Sequence, residues 1–157
     1  MWTEIFISWD ECRKGNNIMT YDLSRFHKAQ EHSYETALAE IRSGYKQSHW
    51  IWYIFPQIAG LGYSSTARYY ALSSLDEARV YMADPVLSGR LKEISEALLG
   101  LKSSDPEEIM GWPDNLKLRS SMTLFREVSP ETEVFQKVLD KYFEGKPDTR
   151  TLEIISS

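Results

Sequence analysis

Within positions 117–123 stand Lys117, Arg119, Ser120, Ser121 and Thr123. A lysine supplies a point positive charge, an arginine a planar fork that matches a carboxylate or phosphate, and hydroxyls supply neutral donors. Gathered on one wall, such residues can hold an anion. On a helix at 100° per residue, Lys117, Ser120 and Ser121 share a side with Leu124, while Arg119 and Thr123 share another with Leu116. Leu118, Met122 and Phe125 make the apolar face. The competing reading is packing, in which the small serines admit a neighbouring helix and the two cations lie in water.

A second candidate is the loop Gln57–Thr66, with Gly60, Gly62, Ser64 and Ser65. Glycines followed by hydroxyls at a helix start can cradle an anion through backbone N–H groups. The string matches neither the phosphate-binding loop nor the dinucleotide fingerprint, so a tight connection is the alternative. The run His49-Trp-Ile-Trp-Tyr-Ile-Phe-Pro-Gln57 precedes it. Its rings can stack a planar ligand, on Trp50 or Trp52, or simply fill the core. Gln57 at the loop mouth and Gln30 one turn after Phe26 can read a ligand edge. His49 is the weak candidate for acid–base catalysis.

Other chemistry lacks a signal. His27 and His32 are five apart and share no helical face, so no metal pair is expected. There is no Gly-x-Ser-x-Gly and no His-Glu-x-x-His, and no cofactor signature. Cys12 is the sole cysteine, which excludes an intrachain disulfide and fits a reducing cytoplasm. A net charge of -5 argues against duplex DNA or an anionic membrane as partner. No apolar run is long enough to span a bilayer, and no signal peptide is evident. Single-stranded nucleic acid would find the rings but little of the charge.

The elements that position these residues read as helices. Asp22 caps one carrying Leu23, Phe26 and Gln30; Ser33 caps a second that stops at Gly44. Between Tyr45 and Gln57, Trp50, Ile51, Ile54 and Phe55 form one helical stripe, ended by Pro56. Ser65 opens the next helix. Ser74 with Glu77 forms a capping box, and Asp84-Pro85 starts a helix running to Gly100. Further starts fall at Asp105-Pro106, Pro113, Ser129-Pro130 and Asp148. The sum is an all-α fold of eight or nine short helices in one domain over 21–157, without a hairpin signal. Residues 1–20 read as an extension: Trp2, Ile5, Phe6, Ile7 and Trp9 are apolar enough to dock, Gly15-Asn16-Asn17 breaks any element, and Met19 offers an alternative start.

Five stretches together carry a resemblance. They are Asp22-Leu-Ser-Arg-Phe26 with Ala29-Gln30; His49–Gln57; Gly60-Leu-Gly62 with Ser64, Tyr69 and Ala71; Asp114 with Lys117–Phe125; and Gly145, Asp148, Thr151 and Leu152. Their order and spacing over about residues 21–155 resemble the domain-of-unknown-function family 1810, sometimes labelled calpastatin-like. The resemblance implies a small, mainly α-helical single domain and carries no settled activity. A calpastatin-type inhibitor would be disordered and repetitive, whereas this chain reads as compact.

The functional expectation is a cytoplasmic protein holding a small anionic or nucleotide-like ligand. The ligand would lie between the Trp50–Gly62 region and the Lys117–Thr123 helix. The alternative is a protein-interaction module with an exposed aromatic patch. Convergence of Gln57, Lys117, Arg119 and Ser121 on one concavity would favour the ligand, and their dispersion the partner.

Overall fold

The computed structural model describes residues 20–157. The expectations for Trp2 to Trp9, Cys12, the Gly15-Asn16-Asn17 break and Met19 lie outside those residues. Among the described residues the architecture is all-α, with nine helices and no named strand. In chain order they are α1 (Ser24–Ser43), α2 (Ile51–Ile54), α3 (Ser65–Tyr70), α4 (Leu75–Ala83), α5 (Pro85–Leu99), α6 (Pro106–Met110), α7 (Asp114–Val128), α8 (Val134–Phe143) and α9 (Thr149–Ser156).

The start signals act largely as expected. Asp84 accepts from the N–H groups of Val86 and Leu87, and Asp105 from those of Glu107 and Glu108, each with proline at the first helical position. Asp148 accepts from Thr151 N–H; at the helix expected from Ser65 the capping side chain is that of Ser64, which accepts from Ala67 N–H. Ser74 accepts from Glu77 N–H, but Glu77 does not close the box on Ser74. Its carboxylate takes the N–H and hydroxyl of Ser73 and meets Arg25.

Three boundaries differ. The two expected helices from Asp22 and Ser33 are one helix, α1. Nothing between them breaks the chain, and the Ser33 hydroxyl accepts from the Tyr53 hydroxyl at 2.9 Å. The helix stops at Gly44, where φ of +87° closes the C-cap. Between Tyr45 and Gln57 only α2 is helical, one turn before Pro56. Ser129-Pro130 opens a turn, in which Ser129 bonds Thr132 and Glu131; α8 begins later, at Val134.

The core runs through α1, α2, α4, α5, α7 and α8. Of the central stretch, Trp50, Ile51, Ile54 and Phe55 are buried, while Trp52 and Tyr53 are half-buried. The expected stripe is therefore the one the fold buries. Helix α7 lies against α2, α4, α6, α8 and α9, and every residue from Ser120 to Phe125 is buried. An amphipathic reading assigns α7 one core face; its neighbours cover it from several sides. No helix among the described residues is long and apolar enough to cross a membrane.

Candidate functional site

The site grows from how the central stretch is held. Glu40, on α1, takes the N–H groups of Gln47 and Ser48, the Ser48 hydroxyl, and the Trp50 indole N–H at 2.8 Å. Burial pushes this carboxyl upward, but the four donors outweigh it and hold it down at about 2. Lys46 Nζ lies 4.9 Å from the Trp50 ring centroid and 2.7 Å from Asp114 on α7. Glu40 and Lys46 thus pin Trp50 from both sides. Sequence reasoning missed both; the only signal was a carboxylate one position before the buried Ile41.

Gln30 is buried and serves the same end. Its amide donates to the Tyr53 carbonyl at 2.7 Å and to the Tyr81 hydroxyl at 3.0 Å. It ties α1 to α2 and α4 from the inside of the fold. Trp50, 1% exposed, offers no face to a ligand.

The expected anion wall on α7 has other partners. Arg119 Nε donates to the Lys146 carbonyl at 2.9 Å, and its guanidinium lies over the Phe143 ring. Ser120 donates to Asp148 Oδ2 at 2.9 Å. Thr123 accepts from the Asp148 N–H at 2.8 Å and donates to the Arg119 carbonyl. With Thr151 also on Asp148, these groups fasten α9 to α7. Ser121 is fully buried, and its hydroxyl has no partner among the described residues. Lys117 reaches Asp114 at 3.4 Å.

The glycine loop also packs. Gly60 has φ of +105°, and a Cβ there would come 3.3 Å from Ile154 of α9. A Cβ on Gly62 would stand 2.6 Å from the Cβ of Ala67, closer than real side chains approach. Ser64 is spent as the α3 cap. Gln57 lines a crevice with Trp52, Gly62 and Tyr70 of only about 10 Å³, room for roughly one water. Among the described residues, no concavity therefore gathers Gln57, Lys117, Arg119 and Ser121. The space between the Gly60 loop and α7 is approached by α9 instead.

What does converge lies on the outer side of the same stretch. His49, Trp52, Tyr53, Ser65, Thr66, Tyr69 and Tyr70 line an open cleft of about 510 Å³ between α2 and α3. Its size is that of a small-molecule site. His49 and Tyr69 are exposed at the rim. The Tyr53 and Tyr70 rings lie 5.1 Å apart at 53°, and Tyr69 and Tyr70 4.8 Å apart at 79°. Burial, with Tyr69 and Tyr53 adjoining, holds the Tyr70 hydroxyl above its ordinary value, so it stays protonated at neutral pH. The far wall is fixed by Arg25, which donates to the carbonyls of Tyr69 at 2.8 Å and Ala71 at 3.1 Å. Parallel pairing of Ile58 with Leu72 joins the two sides. Of the expected site residues, the cleft takes in His49 alone, and Trp52, named as a stacking ring, joins it. The tyrosines of α3 could have been added only by knowing that α3 folds back on α2. Among the described residues, no three His, Cys, Asp or Glu side chains gather as a metal site.

A family model described as "Protein of unknown function (DUF1810)" matches residues 20–155. The crystal structure of the conserved hypothetical protein Rv1873 from Mycobacterium tuberculosis is similar to this chain, with 41% identity and a TM-score of 0.85. The similarity covers 87% of this chain and 98% of that one. No curated protein matches.

Proposed function

This chain belongs to the DUF1810 family of proteins of unknown function, and on that premise we propose that it binds a small molecule in the aromatic cleft between α2 and α3. The observation that carries the reading is four rings, Trp52, Tyr53, Tyr69 and Tyr70, around one solvent-open concavity with His49 and two hydroxyls at its edge. The ligand expected from the sequence was anionic because of Lys117, Arg119 and the serines of α7. Lys117, Arg119 and Ser120 are engaged elsewhere and Ser121 is fully buried, so the reading keeps the Trp50–Gly62 side of the expected pocket and moves the ligand to its outer face. Rings bind by apolar contact and by the charge distribution of their faces, and His49 is the lining group suited to moving a proton. No residue pair in the cleft assembles a nucleophile with its base, so binding rather than turnover is the function proposed.

The test is a thermal-shift screen of the purified protein against nucleotides, sugar phosphates, amines and other metabolites. A ligand at about one hundred times its dissociation constant stabilises the fold by roughly 2.7 kcal/mol. For a domain of this size that raises Tm by about 5–10 °C. The shift should vanish in Tyr69→Leu and in Trp52→Leu. A ligand whose shift survives both variants binds elsewhere and sinks the reading.

A second reading, a protein-interaction module, has one observation in its favour. Trp112 is 70% exposed and Leu116 47%, at the corner between α6 and α7, and Tyr45 is also exposed. Large apolar side chains left in water are common in interaction surfaces. Under this reading Trp112→Ser abolishes association with a partner and leaves small-molecule thermal shifts unchanged.

A further inference from the structure

We infer that the cleft between α2 and α3 selects an organic cation of the quaternary ammonium type over anionic or neutral ligands; this rests on the reading of that cleft as a small-molecule site. The first argument is the charge of the lining. None of His49, Trp52, Tyr53, Ser65, Thr66, Tyr69 and Tyr70 is a lysine or arginine. Arg25, the guanidinium that holds the wall carrying Tyr69, is committed to the carbonyls of Asp22, Tyr69 and Ala71 and to Glu77. A phosphate or carboxylate in the cleft would meet His49 and neutral hydroxyls but no lysine or arginine among the lining residues, too little to replace its water. Aromatic faces, by contrast, carry partial negative charge and attract cations. The chain as a whole carries -5, so its field also favours a cation.

The second argument is the direction of the faces. A flat base or other planar ligand stacks best between rings that are nearly parallel. Here Tyr70 is inclined at 53° to Tyr53 and at 79° to Tyr69. The inner side of Tyr70 is closed by Phe26, 5.9 Å away between centroids. Rings set at such angles form a corner rather than a slot. A compact, roughly tetrahedral head with methyl groups on every side touches several faces at once; a plane touches one. The lack of a carboxylate in the lining favours a permanently methylated cation over a primary amine, which would want acceptors for its N–H groups. The wall is preset, because Arg25 and the Ile58–Leu72 pairing fix the backbone that carries Tyr69 and Tyr70.

The experiment titrates the whole chain with choline, with its neutral carbon isostere 3,3-dimethylbutan-1-ol, and with AMP, following the Trp52 indole N–H by NMR and heat by calorimetry. Choline should bind about tenfold tighter than the neutral isostere, the factor expected for cation–ring attraction in a partly desolvated site. Tyr69→Leu should weaken choline about tenfold while the isostere changes little. Because Trp52 also touches the core, Tyr69, exposed at the rim, is the decisive variant; unchanged amide spectra elsewhere verify its fold. Equal binding of choline and the isostere, or preferential binding of AMP that Tyr69→Leu removes, overturns the cation inference and leaves the cleft reading standing. Choline binding that survives Tyr69→Leu overturns it also. No binding of choline overturns this inference, while the cleft reading is decided by the wider metabolite screen.

Discussion

Glu40→Gln tests how the central stretch is held. The native carboxylate accepts from two backbone N–H groups, the Ser48 hydroxyl and the Trp50 indole. An amide presents one acceptor oxygen and turns an NH₂ toward those donors. A carboxyl held from 4.5 down to about 2 stabilises the fold by about 3 kcal/mol at neutral pH. Glu40 is partly open to solvent, so roughly 2 kcal/mol is the discounted figure. Donors left without a partner bring the cost of Glu40→Gln to about 2–4 kcal/mol at pH 7. The sign follows from the depressed folded value. The carboxylate's contribution is fully present above the unfolded value of 4.5 and is lost as pH falls through the folded value of about 2. Other carboxylates titrate over the same range, so the readout is the difference between native and variant proteins. Urea unfolding followed by tryptophan fluorescence and far-UV circular dichroism supplies it at pH 7, 5, 3.5 and 2.5. The gap should hold between pH 7 and 5, narrow by roughly 2 kcal/mol toward pH 2, and be accompanied at pH 7 by a Tm loss of about 5–15 °C. A gap under about 0.5 kcal/mol at pH 7, or one that does not change below pH 4.5, refutes the reasoning.

Asp148→Ala removes the cap of α9 and the acceptor for Ser120 and Thr151. It should cost about 2–3 kcal/mol and make the α9 amides exchange faster than those of α8 in hydrogen-exchange experiments; uniform exchange along both helices would show that the clamp is not local. Ser121→Ala replaces a buried hydroxyl, without a partner among the described residues, by a methyl-sized group. Urea unfolding should place it between unchanged and about 1 kcal/mol more stable than the native protein, and its ligand-induced thermal shifts should be retained. A loss above about 1 kcal/mol would mean that the hydroxyl has a partner.

Local signals were enough for the fold class and for most helix starts. Asp84-Pro85, Asp105-Pro106, Ser74 and Asp148 act within three residues of themselves, so their role is written in the sequence around them. The stripe Trp50, Ile51, Ile54, Phe55 was legible for the same reason: periodicity is a one-dimensional property. The merging of two expected helices into α1 was not, because a serine reads as a cap until one knows that Tyr53 lies across from it.

The candidate site divides on the same line. The types and spacing of Lys117, Arg119, Ser120, Ser121 and Thr123 were plain, and an anion wall was a chemically sound use of them. The partners that hold Arg119, Ser120 and Thr123 to the rest of the fold, Asp148 and the Lys146 carbonyl, lie more than twenty residues along the chain. A hydroxyl or guanidinium does not declare which acceptor it will meet; only the return of α9 over α7 decided that. Likewise the sequence by itself determined that His49–Gln57 would be a dense aromatic run, but it left Trp50 open between a ligand-stacking ring and the core, and the fold buried it. That Trp52 and Tyr53 remain half-open, and that Tyr69 and Tyr70 come round to make a cleft with them, follows from the turn through Gly60 and Gly62. Burial of a ring depends on what packs over it, and that covering comes from residues distant in sequence.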